Sequence, residues 1–357
     1  MVSSVTRTLT TVADNTHADE KYGLWPKGDP IAIAHFSDPE HGIDHTYILH
    51  SRDSCIRLID HNACPRGKIS ILATLDSWVP LCLFLVPKRY RTPTFHLICG
   101  TSRSIFSISQ DGEYVILLTS WSKNMLMTRS NHLNKPSFAF ANGITINSKG
   151  HLLFTNTEYN VICRLFINQE KENQVVIIAG NPESKCSDPD HEDPLMATFA
   201  NPSGICVDTK DNVFISDEHG IRHMDSQSGA VTTFCDISIV IGSTTSLLLY
   251  EPLNIIFAGD LNEILMITVN TREFRIVVEA GSGRKSGIDF EYPQLALKTS
   301  DHSRSASMLQ SLSHFHYWPP GLLQIVIDYI HGNISLLATD RQKHSLLRVD
   351  VDVFFGL

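Results

Sequence analysis

Seventeen histidines and eight cysteines are the residues of this 357-residue sequence with the most chemistry to offer. His35, His41, His45 and His50 are close neighbours, and His314 and His316 are spaced to share one face of a strand. A zinc site needs three or four converging ligands. No cysteine pair accompanies either group, and the first crosses the turn-rich stretch Asp38-Pro-Glu-His-Gly42, so both read as solvated or hydrogen-bonded histidines. Cys55, Cys64, Cys82, Cys99, Cys163, Cys186, Cys206 and Cys235 stand singly. Without a C-x-x-C pair they read as reduced, partly buried side chains. Gly281-Ser-Gly-Arg-Lys-Ser286 has the composition of a phosphate loop, but one residue separates its glycines where a Walker loop needs four. There is no G-x-S-x-G elbow, and no spacing of Ser, His and Asp selects a catalytic triad. The acidic run Glu183, Asp188, Asp190, Glu192 and Asp193 reads as a solvated loop, with a cation or a basic partner as the alternative.

Composition narrows the function classes. Hydrophobic residues make up 42% of the chain and charged residues 19%, too apolar for disorder. Twenty-nine Lys+Arg against 38 Asp+Glu leave a formal charge of −9, which a phosphate backbone repels unless the cations cluster. The N-terminal residues lack an apolar signal-peptide core. The run from Pro80 to Pro87 is far short of the ~20 residues of a spanning helix. The expectation is a cytoplasmic monomer.

What positions any site is a repeat. Six short runs rich in Val, Ile and Thr end in a small residue: Leu9–Ala13, Ile69–Ala73, Val115–Thr119, Val175–Ala179, Val231–Cys235 and Ile276–Ala280. Their last residues are 60, 46, 60, 56 and 45 apart. A second series, Ile56–Ile59, Ile105–Ile108, Ile162–Leu165, Ile221–Met224, Ile264–Ile267 and Leu346–Val349, precedes the runs. The first run has no partner before it, and the last member of the second series has none after it. These orphans complete one another if the chain closes into a ring. About four short strands per 45 to 60 residues is the pattern of a β-propeller. The expected fold is therefore all-β, a six-bladed propeller closed when Thr8–Ala13 pairs beside Leu346–Val349.

The clearest repeats are Phe199-Ala-Asn-Pro-Ser-Gly-Ile-Cys-Val-Asp208, ending at Asp217 and followed by Ile221-Arg222, and Phe140-Ala-Asn-Gly-Ile-Thr-Ile146, ending at Asn156. A weaker copy runs from Pro320-Gly321 to Asp340 and Arg348. These stretches resemble NHL repeats, and Ala179-Gly180, Ala280-Gly281 and Ala197-Thr-Phe199 look like that family's blade ends. The resemblance implies the propeller fold and a protein-binding role, with RNA binding known for some members.

Ala141-Asn-Gly-Ile-Thr-Ile146, with Thr155-Asn-Thr-Glu158 and Arg164, also resembles the strictosidine-synthase, gluconolactonase and paraoxonase propellers. In lactonases of that group, the Asn before such a Gly helps hold a divalent cation on the propeller axis. The resemblance makes Asn142 the metal-ligand candidate, and calcium, which takes 6–8 oxygens, the cation. Ser203 stands where the gluconolactonase pattern supplies Asp, and the stretch Gly28-Asp-Pro-Ile-Ala-Ile33 lacks the expected Glu. Asn142 alternatively reads as a turn residue satisfying nearby backbone donors.

Residues 1–357 read as one domain, with 1–14 as the closing strand and loop insertions at about 121–136 and 281–313. The expected function is a non-enzymatic platform that binds an unidentified protein or peptide at a propeller face, with no cofactor and no catalytic residue selected. A calcium-dependent lactonase or esterase is the alternative, and an RNA-binding NHL module the third.

Overall fold

A computed structural model describes residues 7–13, 30–63, 68–75, 79–119, 125–126, 141–167, 174–181, 190–218, 220–237, 246–259, 263–279, 325–328, 334–340 and 345–351. Strand β1 is Arg7–Ala13. The first sheet is β2 (Pro30–Asp38), β3 (Ile43–His50), β4 (Cys55–Asp60) and β5 (Lys68–Thr74). The second is β6 (Pro80–Leu85), β7 (Leu97–Thr101), β8 (Ser104–Ile108) and β9 (Tyr114–Thr119). The third contains β10 (Met125–Leu126), β11 (Ala141–Ile146), β12 (Leu152–Asn156), β13 (Val161–Phe166) and β14 (Gln174–Ala179). The fourth is β15 (Ile205–Val207), β16 (Val213–Asp217), β17 (Gly220–Met224) and β18 (Val231–Cys235). The fifth is β19 (Ser246–Tyr250), β20 (Ile255–Gly259), β21 (Glu263–Thr268) and β22 (Phe274–Glu279). The remaining strands are β23 (Ile325–Asp328), β24 (Ile334–Asp340) and β25 (Ser345–Val351).

All twelve runs expected from the sequence coincide with strands whose ends agree to within two residues, with Ala280 at the end of the sixth run lying outside the described residues. Five sheets are each built from one stretch of chain; a further sheet, in the order β1-β25-β24-β23, takes strands from both chain ends. Within it Leu9 lies opposite Val349 and Thr10 opposite Arg348, with a bulge between Thr11 and Ala13. The first strands neighbour one another in turn: β2 lies beside β6, β6 beside β11, β11 beside β15, β15 beside β19, β19 beside β23, and β23 beside β2. The protein is an all-β propeller.

Side chains between successive sheets make the core. Tyr47, Leu49 and Ile56 of the first sheet pack with Leu83, Leu97 and Phe106 of the second, and Cys206, Phe214 and Phe234 of the fourth with Leu247, Ile256 and Leu265 of the fifth. Each fully buried Leu, Ile or Phe contributes about 1.5–3 kcal/mol. Two repeat glycines set how closely the sheets approach the axis. A Cβ on Gly143 would lie 2.2 Å from the Ser203 carbonyl oxygen, and one on Gly204 would lie 2.8 Å from the Leu247 nitrogen. The glycine of the repeat is therefore a requirement of close backbone approach.

The insertion expected at 121–136 contributes a strand within the described residues: β10 pairs parallel with β14 through Met125–Val175 and Leu126–Val176. The 281–313 insertion, the Gly281–Ser286 segment, His314 and His316 lie outside the described residues. Among the described residues no helix is long and apolar enough to cross a membrane.

Candidate functional site

The inner strands surround an axial cavity of about 360 Å³, lined by β2, β6, β11, β15 and β19. Its described lining is mostly aliphatic, with His35, Asn142, Thr145 and Ser246 as polar members and no carboxylate. Asn142 sits inside β11 rather than in a turn, and its amide donates to Thr157 Oγ1 at 2.9 Å. The Thr157 hydroxyl in turn donates to the Pro202 carbonyl at 2.7 Å. This corrects the turn reading: the Asn142 amide links its sheet to the next through a hydroxyl. Ser203 instead bonds within its own sheet, its Oγ lying 3.2 Å from Ser216 Oγ on β16. Gly143 and Gly204 repeat one device, each donating its N–H to a hydroxyl twelve residues on, Thr155 or Ser216.

The Asp and Arg of the clearest repeat form a second polar centre. Arg222, fully buried on β17, donates through Nη2 to Asp190 at 2.7 Å. Its Nη1 lies 3.5 Å from Asp217 Oδ2 and 3.3 Å from the Thr198 carbonyl oxygen. The guanidinium also stands 5.6 Å from the Phe199 ring centre. Asp190, read from sequence as part of a solvated acidic loop, is thus a structural ion-pair partner. It accepts from Thr233 Oγ1 at 2.8 Å as well. Burial raises its carboxyl, but the Thr233 hydrogen bonds and the Arg222 charge outweigh that and hold it below the ordinary carboxylate range. This centre ties the loop before the fourth sheet to its third strand, which is work for a fold rather than for a substrate.

The rim carries a different signal. β14 has β10 added at its outer edge, and the outer edge of β18 is bridged by His191, which exchanges two 2.9 Å backbone hydrogen bonds with Val231. Among the described residues nothing pairs with the outer edges of β5 and β9. Those strands expose Ile71 (62%), Val115 (58%) and Ile116 (53%). The two edges belong to adjoining sheets, which meet where Gly112 packs against the Leu72 carbonyl. Sequence reasoning missed this feature because Ile69–Ala73 and Val115–Thr119 have the composition of buried strands.

The histidines divide by strand face. β2 pairs His35 with Thr46, and β3 pairs Thr46 with Ile59 and His45 with Asp60. His35, Asp44, Thr46 and His61 therefore share one face, while His45 and Tyr47 lie on the other with His96. The neighbours His41 and His50 do not join them: His41 Nδ1 pairs with Asp38 at 3.0 Å, and His50 is buried at the end of β3. Six cysteines are free and buried. Burial pushes the Cys82 thiol up to about 12, and Cys163 and Cys206 higher still, so these are poor nucleophiles at neutral pH. Cys64 and Cys186 lie outside the described residues.

No family model and no curated protein sequence matches the chain. Among solved structures, virginiamycin B lyase from Staphylococcus aureus is similar at 14% identity and a TM-score of 0.54, covering 97% of this chain and all of that one. A protein described as gluconolactonase-like is similar at 11% identity and a TM-score of 0.53, covering 97% of this chain and 98% of that one. At such identity the likeness is one of fold, the β-propeller.

Proposed function

We propose that the chain is an NHL-like propeller of six blades, closed by β1, that works inside the cell as a non-enzymatic platform for an extended apolar peptide. The peptide adds as a strand along the outer edge of β9, with β5 as the neighbouring apolar surface. One contrast carries this reading. The third and fourth sheets have their outer edges covered by added chain, whereas β5 and β9 present Ile71, Val115 and Ile116 to solvent. An uncovered apolar edge strand is a template for another chain, and folded proteins usually blunt such edges. Backbone hydrogen bonds would give affinity, and alternate side chains of the peptide specificity.

The calcium-lactonase reading draws less support. A hard cation needs several oxygen ligands, and the described lining of the axial cavity brings no carboxylate to Asn142, whose amide is engaged with Thr157. RNA binding draws no support from the net charge of −9.

The test is a selection of linear peptides from a random library on the wild-type chain, with affinities then measured on Val115→Lys and Ile116→Glu. Both side chains are exposed, so the variants should melt as the wild type does. Expected are peptides with alternating apolar residues whose binding falls at least tenfold in the variants. Peptides that bind all three proteins equally, or a selection that yields none, would overturn the proposal. A stoichiometric calcium signal in calorimetry that disappears in Asn142→Ala would instead put the enzyme reading first.

A further inference from the structure

We infer that His35, Asp44 and His61 form a binding site for a divalent transition metal of the zinc type, on the first sheet and independent of the rim. The donors come from three separate positions, and the sheet register gathers them. The β2–β3 pairing sets His35 opposite Thr46, the β3–β4 pairing puts position 61 across from position 44, and the His61 N–H donates to the Asp44 carbonyl at 2.9 Å. One potential ligand atom from each of the three residues lies within 4.8 Å of the others.

The distances favour a shared cation over a simple pair. His35 Nε2 and Asp44 Oδ1 are 3.6 Å apart, too far for a good hydrogen bond. Two ligands on a tetrahedral zinc at 2.0–2.2 Å are separated by about 3.3–3.5 Å, so a slight contraction would place both on one ion. Asp44 Oδ1 is buried and accepts no hydrogen bond from the described residues. Burying a carboxylate oxygen without a donor is costly, and a bound cation removes that cost.

Thr46 supplies the supporting shell. Its hydroxyl is buried, 3.1 Å from His35 Nδ1 and 2.8 Å from His61 Nε2. If His35 Nδ1–H and His61 Nε2–H both donate to the Thr46 oxygen, the ligand lone pairs are those of His35 Nε2 and His61 Nδ1, and His35 Nε2 faces the Asp44 carboxylate. Two acceptors in that position call for a cation between them. Ligating histidines characteristically fix their tautomer by such a bond from the other ring nitrogen. The imidazoles also select the metal: nitrogen donors suit zinc, cobalt or nickel and disfavour calcium, which separates this site from the axial reading of Asn142. Three protein ligands leave one position open.

Asp38, Glu40 and His41 also converge, in the turn between β2 and β3, but Glu40 and His41 are exposed there and the group serves as the control. Chelator-stripped, full-length protein is titrated with Co²⁺ in the visible range and with Zn²⁺ by calorimetry. Expected are one equivalent of metal, cobalt bands of low coordination number, and displacement of cobalt by zinc. His61→Ala and the near-isosteric Asp44→Asn should each weaken binding at least tenfold while the circular dichroism of the fold is retained, and Thr46→Val should weaken it about tenfold. His41→Ala should leave it unchanged. No saturable binding to the wild type would overturn the site. So would affinity that survives both Asp44→Asn and His61→Ala, or that is lost in His41→Ala. Should His61→Ala fail to fold, Asp44→Asn and the number of imidazoles seen by X-ray absorption on the wild-type zinc complex decide the matter.

Discussion

At the residue scale, His96 shows how this interior responds to protons. It is buried beside Tyr47, whose hydroxyl lies 2.8 Å from its Nε2, and the ring meets Tyr47 and Phe36 edge to face. Burial, reinforced by the nearby Arg91 and His45 charges, brings its pKa down to about 4, while burial pushes Tyr47 up to about 12. Both groups are therefore neutral in the fold at pH 7, and a neutral imidazole can accept the phenol proton. An unfolded chain's histidine titrates near 6.5, so between that value and about 4 the unfolded state binds the extra proton. The stabilising contribution is full above pH 6.5 and is lost as pH falls toward 4, by about 2–3 kcal/mol. Urea titrations at pH 7, 5.5 and 4.5 should show that decline, with a shallower one in His96→Gln. Some slope should remain, because burial lowers His151 and His223 as well. Asp190 acts outside this window, since its depressed pKa matters only below the ordinary carboxylate value near 4. A flat profile for the wild type would mean that His96 is solvated.

At the scale of the elements, the inner strands depend on glycine. Gly143→Ala must displace the Ser203 carbonyl, 2.2 Å from the added carbon, and backbone gives way less easily than a side-chain end. A loss of about 1–3 kcal/mol in denaturant unfolding is expected; an unchanged midpoint would mean that β11 and β15 stand farther apart. This level is also where the sequence was most readable. Short Val/Ile/Thr runs ending in small residues report strands, and all twelve do so here. Less readable was whatever depends on register or on which edge stays open. Asp44 and His61 look unrelated until β3 and β4 pair, and β10 is too short to show a period. Asn142 could be singled out by resemblance, but its partners Thr157 and Pro202 come from a hairpin turn and the next sheet. The exposure of Val115 and Ile116 runs against their composition, which fits a core strand as well as a sticky edge.

For the whole molecule, the decisive contact is between the two chain ends. β25 is hydrogen-bonded on one side to β24 and on the other to β1, from Arg7–Val351 to Ala13–Leu346. Without β1, the full length of β25 becomes an open edge next to strands drawn from the far end of the chain. β23 lies beside both β2 and β19, so loosening this sheet also loosens its contacts with the first and fifth. Deleting residues 1–14 should therefore do more than remove one strand's hydrogen bonds: it should lower the melting temperature markedly and produce aggregates visible by light scattering. A synthetic peptide of residues 5–14 added in excess should partly restore solubility, because an open edge accepts a strand in trans as it does in cis. Rescue by this peptide and failure of a scrambled one would place the effect at the β25 edge rather than in general destabilisation. Unchanged melting and solubility after the deletion would show that the sheet of β23, β24 and β25 holds without β1.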